Sequence, residues 1–256
     1  MYPVIEIIPW ILKMYTFGMA MSIAFIVFFY TLNHLTRKAE IHNNVFLSIA
    51  LFSISILFFG RIFYILAEWR EFGTYFEDIS TYWKQILFMK DYAISLMGGV
   101  FGFFLVFFLL TRDANRDKKT LLDIVVLSFM IPAVIGYIGA FFWWQIYGKP
   151  TSWLGITPDP DVSNIGSLVP IFPLALLYAL GACLIFFFLL SLRKRKTYPW
   201  FIAYVGMSLF GVMLLLWEFL NGSNDMFQGK LGLTLSQIGG LIFIVYALMG
   251  MIGKKR

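Results

Sequence analysis

Residues 45–67 read VFLSIALFSISILFFGRIFYILA, an apolar run with one charge, Arg61. Roughly 20 helical residues cross a hydrocarbon core of about 30 Å, so this run is long enough to span a bilayer. Its apolar residues are continuous rather than alternating, and a backbone in lipid must satisfy its own hydrogen bonds, which favours a helix over a barrel strand. Similar stretches lie on both sides: Met14–Leu32, Tyr92–Thr111, Leu121–Tyr147, Leu168–Leu192, Tyr198–Leu220 and Leu231–Gly253. The composition agrees, with 60% apolar, 20% aromatic and only 13% charged residues in a chain of 256. A soluble domain carries about 25% charged residues. The expected fold is an all-α integral membrane protein, a seven-transmembrane helical bundle. No Pro/Gly/Ser-rich linker or fixed-period repeat divides it, so residues 1–256 read as one transmembrane domain.

Orientation follows from lysine and arginine. The segments 33–44, 112–120 and 193–197, with the tail 254–256, hold thirteen of the twenty; the N-terminus and segments 68–91, 148–167 and 221–230 hold five. The bias alternates through all seven crossings and predicts an N-terminus outside and a cytoplasmic C-terminus. The net charge of +6 is therefore topological, and no nucleic-acid partner is expected. The first span lacks a basic n-region and a small-residue cleavage site, so it is expected to remain as a helix. The outer segment 68–91 mixes Trp69, Tyr75, Phe76, Tyr82 and Trp83 with charges, a composition shared by an interfacial helix and a solvated loop. The lone Cys183 excludes an internal disulfide. One thiol with His34 and His42, both placed in the cytoplasmic segment 33–44, cannot complete a zinc site. Neither a metal nor another cofactor is expected.

Charge inside a bilayer is costly, so each intramembrane ionisable residue is a candidate. Lys13, at the outer end of the first span, can snorkel to the headgroups. Asp123 lies at the cytoplasmic start of the fourth span, where a carboxylate suits the positive end of a helix dipole. Arg61 and Glu218 both fall toward the outer ends of their spans. They read either as a mutually compensating ion pair or, for Arg61, as a bidentate contact to a lipid phosphate. Ser95 with Gly99, Gly98 with Gly102 and Gly136 with Ala140 form small-xxx-small steps, which let helices approach closely.

At these residues the chain resembles the prolipoprotein diacylglyceryl transferases, seven-helix membrane enzymes with the same orientation. Those enzymes move a diacylglyceryl group from phosphatidylglycerol to the cysteine thiol of a lipoprotein precursor. Lys13-Met14-Tyr15 is similar to the family's arginine-tryptophan-tyrosine start, and Gly60-Arg61-Ile62-Phe63-Tyr64 to its GR-x-x-Y segment. Ser95 to Gly102 resembles S-F-H-G-G-x-x-G, and the fourth span opens with Leu122-Asp123. Gly136 to Gly148 tracks the signature G-R-x-G-N-F-x-N-G-E-x-x-G. Pro173 to Tyr178 is a reduced H-P-x-Q-x-Y, Glu218-Phe219 matches the E-F element, and Gly232 to Gln237 matches G-L-T-x-x-Q.

The departures fall on the reactive groups. The family histidine is Met97, the signature arginine is Tyr137, its asparagines are Ala140 and Trp143, and its glutamate is Gln145. The arginines flanking E-F fall at Leu214 and Asn221. Transfer needs a base to generate the thiolate and cations to neutralise the leaving glycerol phosphate. Met97 cannot accept a proton, and Tyr137 carries no positive charge.

The resemblance therefore implies a transferase-like protein of lipoprotein biosynthesis with lost or altered activity, and no catalytic residue is assigned. The alternative is a non-catalytic lipid- or partner-binding pseudoenzyme on the same scaffold. Implied candidate positions for lipid or substrate are Arg61, Gly98, Gly99, Tyr137, Gly139, Gln145 and Glu218. Implied partners are a membrane phospholipid, phosphatidylglycerol by resemblance, and lipoprotein precursors; the implied location is the cytoplasmic membrane of a prokaryote. Other seven-helix classes fit less well. No lysine lies within the last span for a retinal Schiff base, and neither a transporter's repeated halves nor a channel's charge rings are present.

Overall fold

The structure is a computed structural model that describes residues 4–8, 12–39, 45–67, 95–110, 117–158, 169–194, 198–222 and 232–252. Among them are two short strands, β1 (Val4–Ile8) and β2 (Leu12–Tyr15), and the helices α1 (Thr16–Lys38), α2 (Val45–Ala67), α3 (Leu96–Leu110), α4 (Asp117–Phe142), α5 (Leu174–Arg193), α6 (Phe201–Trp217) and α7 (Leu235–Ile252). Each helix falls within or across one of the apolar stretches. Four segments are long and apolar enough to cross a membrane: Thr16–Lys38, Thr120–Phe142, Leu174–Arg193 and Phe201–Leu220. The apolar parts Leu51–Leu66 and Ser236–Ile252 are shorter. At 1.5 Å per residue, the 15 residues of α3 reach about 22 Å. The chain is a helical, multi-pass membrane protein.

Three expectations are corrected at the helix ends. The all-α reading omits the antiparallel hairpin of β1 and β2, in which Glu6 is the register partner of Lys13. Lys13 therefore lies on a strand rather than on the first helix. The stretch VIEII-PWI-LKMY is rich in β-branched residues and interrupted by Pro9, a pattern that favours paired extended segments over a continuous helix. α1 also runs past Leu32 and takes His34 into its last turns. Thr36 Oγ1 donates to the carbonyls of Leu32 and Asn33 at 2.9 and 3.0 Å, which satisfies the hydroxyl inside the helix. Arg37 and Lys38 then meet the negative end of the dipole.

Asp123 serves a different helix from the one expected. Its own helix starts at Asp117, and its carboxylate instead accepts the backbone N–H of Trp200 at 2.8 Å and of Ala203 at 2.7 Å, two orphan donors at the start of α6. Trp200, at φ 77°, makes no side-chain cap of its own. The interfacial-helix reading of segment 68–91, and His42, lie outside the described residues.

The chain forms two compact units, Met1–Ile41 with Lys119–Asn224 and Gln237–Arg256, and His42–Lys118 with Asp225–Ser236. In the first, α4 is central: 67% of its apolar window is buried, against 17% for α1. Gly139 takes the side chain of Ala20 of α1 where its own Cβ would be, and Gly206 of α6 receives Val126 of α4 and Leu189 of α5. α6 and α7 cross where Gly211 and Gly240 face each other's carbonyls. In the second, α2 and α3 meet through Gly98, against the carbonyl of Phe59 and Cα of Gly60, and Gly102, against the carbonyl of Ser55. The Ser55 hydroxyl donates to Gly102 O at 2.8 Å, and Phe52 stacks on Phe103 at 4.5 Å. The step from Gly98 to Gly102 is thus a helix-packing seam, as small residues in lipid usually are.

Candidate functional site

A buried polar cluster forms at one end of the first unit, where α4 ends, α5 begins and α6 ends. Tyr137 lies on the last turns of α4, Tyr178 on the first turns of α5, and Glu218 where α6 tightens into a 3₁₀ turn, Glu218–Leu220. The Tyr137 and Tyr178 rings stack at 5.0 Å with 17° between their planes. The Tyr178 hydroxyl donates to Glu218 Oε2 at 2.8 Å, and Asn221 Nδ2 donates to Oε1 at 2.7 Å. The Trp217 ring meets Tyr178 edge-on at 5.6 Å and occupies the space that a side chain at Gly181 would need. Tyr137, Tyr178 and Glu218 are 5, 2 and 8% exposed. A carboxylate at that depth is costly unless hydrogen-bonded, and here both oxygens have neutral donors.

The segments that leave these helices are tied together beside the cluster. Gly148 N–H donates to Phe172 O at 2.8 Å, Lys149 N–H to Leu220 O at 2.9 Å, and Gly222 N–H to Tyr147 O at 3.0 Å. Gly148 and Gly222 approach neighbouring backbone too closely to admit a Cβ. α4 itself stops in a Schellman turn: Gln145 N–H reaches back to Ala140 O at 3.0 Å and Trp144 N–H to Phe141 O at 3.2 Å, with Trp144 left-handed at φ 56°. The signature that this stretch resembles has glycine at that place. Here a tryptophan takes the left-handed place in the turn.

The expected site residues separate as follows. Tyr137 and Glu218 share the cluster through Tyr178. Gly139 faces α1, where it permits close packing with Ala20. Gln145 lies beyond the end of α4 with an exposed side chain. Arg61, Gly98 and Gly99 belong to the second unit. The Arg61 guanidinium carbon lies 5.5 Å from the Tyr64 ring centroid, and its Nη2 is shielded from solvent. Gly98 packs against α2 as described, and Gly99 lies next to Ile56. Ser95 precedes α3, and its hydroxyl accepts Gly98 N–H at 3.5 Å. The side chain of Met97 lies outside the described residues.

Tyr178, Trp217 and Asn221 were not expected at the site. Tyr178 carries one signal, its place as the retained tyrosine of the reduced H-P-x-Q-x-Y stretch. Asn221 stands three residues after Glu218, within reach at the end of a helix. Chemically the cluster offers one carboxylate, two phenols, a carboxamide and an indole. It can hold a polar group by hydrogen bonds, but none of its members carries a positive charge.

The family model described as prolipoprotein diacylglyceryl transferase matches residues 3–253. A phosphatidylglycerol–prolipoprotein diacylglyceryl transferase of Finegoldia magna is 23% identical over 244 residues, which cover 94% of this chain and 91% of the relative. A protein of the same name from Campylobacter hominis is 24% identical over 253 residues, 93% of this chain and 84% of its own. With the ordered motifs and the helices that carry them, these similarities show that the chain belongs to the prolipoprotein diacylglyceryl transferase family.

Proposed function

We propose that this transferase-like membrane protein keeps the phospholipid-binding scaffold of its family while the transfer chemistry is lost or altered. The carrying observation is the Tyr137–Tyr178–Glu218 cluster: a neutral, stacked phenol stands where the resembled signature has arginine, and Glu218 is satisfied by phenol and amide donors. Departure of a glycerol phosphate calls for fixed positive charge, which a phenol does not supply. In this reading Arg61 anchors a lipid phosphate within the second unit, phosphatidylglycerol being the ligand by kinship; Gly99 of that unit and Gln145 of the first remain separate candidate positions, while Gly98 and Gly139 are taken up by helix packing. Lipoprotein precursors are the proposed protein partners. The chain is proposed to be a single seven-crossing domain over residues 1–256, with its N-terminus outside and its C-terminus cytoplasmic, in the inner membrane of a prokaryote. The alternation of basic segments supports that orientation.

A second reading, a divergent transferase, draws support from the shielded guanidinium of Arg61 beside Tyr64. Diacylglyceryl labelling of a lipoprotein substrate, in cells depleted of their own transferase, separates the two. The unmodified chain is expected to give no labelling. Labelling by the unmodified chain that Arg61→Ala abolishes would establish the divergent transferase instead. The double variant Met97→His, Tyr137→Arg shows whether those two positions suffice to restore transfer.

A further inference from the structure

The connection from α4 to α5 carries a short finger, Thr151–Gly155, with the sequence TSWLG. Its base is fixed by backbone pairing: Thr151 N–H donates to Pro170 O at 2.9 Å, and Ile156 and Ile171 exchange two hydrogen bonds of 2.9 and 3.0 Å. Its tip is held by Thr151 Oγ1, which accepts Trp153 N–H at 3.1 Å, and by Leu154 in a left-handed conformation at φ 55°. Gly155 closes against the carbonyl of Thr151 and the ring of Pro170, where a side chain would not fit. On the inner side, Ile156 packs on the buried Ala140, Phe141 and Ala175. The outer side is the reverse, with Trp153 at 74% and Leu154 at 62% exposure.

We propose that Trp153 and Leu154 form an interfacial anchor, seated in the headgroup layer of the membrane that the helices cross. Two observations favour lipid as the occupant. The finger leaves the end of the helices at which further apolar side chains are exposed: Ile138 and Phe142 of α4, Leu176 of α5, and Phe219 and Leu220 after α6. In a multi-pass protein such side chains meet lipid, so the finger stands where that surface gives way to water. Its chemistry also suits that level. An indole combines an apolar ring with an N–H donor, and the exposed Lys149 at the base can meet anionic phosphate. The backbone that turns both side chains outward is pinned on the inward side, so the finger is presented rather than collapsed onto the helices.

The anchor does not depend on whether transfer occurs, and its test reads depth alone. Full-length protein carrying Cys183→Ala and either Trp153→Cys or Leu154→Cys is labelled with an environment-sensitive fluorophore and reconstituted into phosphatidylglycerol–phosphatidylcholine vesicles. The label is expected to be quenched more by lipids carrying a nitroxide near the headgroup than by deep nitroxides or aqueous iodide. Quenching by iodide with none from nitroxide lipid would overturn the anchor. So would a label shielded only after a lipoprotein precursor is added, which would make the finger a protein-docking site. A label-free check covers poor folding of the cysteine variants: Trp153→Phe should remove part of the intrinsic fluorescence that shallow nitroxide lipids quench, and an unchanged quenched fraction counts against the proposal.

Discussion

Glu218 is a carboxylate kept inside the protein by two neutral donors, and its neighbours have to be judged by that duty. Removing the phenol oxygen with Tyr178→Phe leaves Oε2 without its donor while preserving the stack on Tyr137. Hydrogen bonds inside membrane proteins average about 0.6 kcal/mol and reach about 1.7, and bonds to a charged acceptor lie at the upper end. A loss of about 1.5 kcal/mol is expected, read as a lower midpoint of unfolding in detergent; an unchanged midpoint would show that Glu218 finds another partner. The charge of Glu218 was readable in the sequence because a carboxylate stands out in an apolar run. Tyr178 was marked only as the retained tyrosine of a reduced motif and not as a partner of Glu218, since a tyrosine among leucines looks like core until tertiary packing sets its hydroxyl against a carboxylate. Trp144 escaped notice for a similar reason: only the backbone shows that it occupies a left-handed turn, a conformation that usually costs about 1–3 kcal/mol outside glycine.

Among the elements, α6 begins without a cap of its own and takes one from α4. Asp123→Ala should cost about 1–2 kcal/mol, because it leaves the N–H groups of Trp200 and Ala203 without their acceptor and removes negative charge from the positive end of the helix. Asp123→Asn should recover part of that, and thermal unfolding of the pair measures the difference. Sequence reading recognised the carboxylate's preference for a helix start but chose the nearer helix, because local spacing does not reveal a contact between residues 77 positions apart. The seam between α2 and α3 was legible, since small residues four apart need no tertiary information. Gly98→Val and Gly102→Val should each separate these helices, whose backbones leave no room for a Cβ. Loss of folded protein in detergent, measured by size-exclusion recovery, is the expected result; normal recovery of both variants would show that the seam can open cheaply.

For the molecule as a whole, apolar length carried most of the reading. Every described helix coincides with a stretch marked from hydropathy alone, although the ends shifted where prolines, threonines and capping turns decide them. The hairpin of β1 and β2 was missed because strand pairing depends on what lies across the turn, whereas a spanning helix satisfies itself. Reporter fusions at the two ends should place them in opposite compartments, with the C-terminal reporter active only in the cytoplasm. Both ends on one side would overturn the proposed seven crossings.

The borrowed cap of α6 also bears on biogenesis. Asp123 leaves the ribosome well before Trp200, so the acceptor is waiting when the later segment enters the bilayer. An earlier span thus serves as a template for a later one, and the order of synthesis matches the order in which the parts are needed.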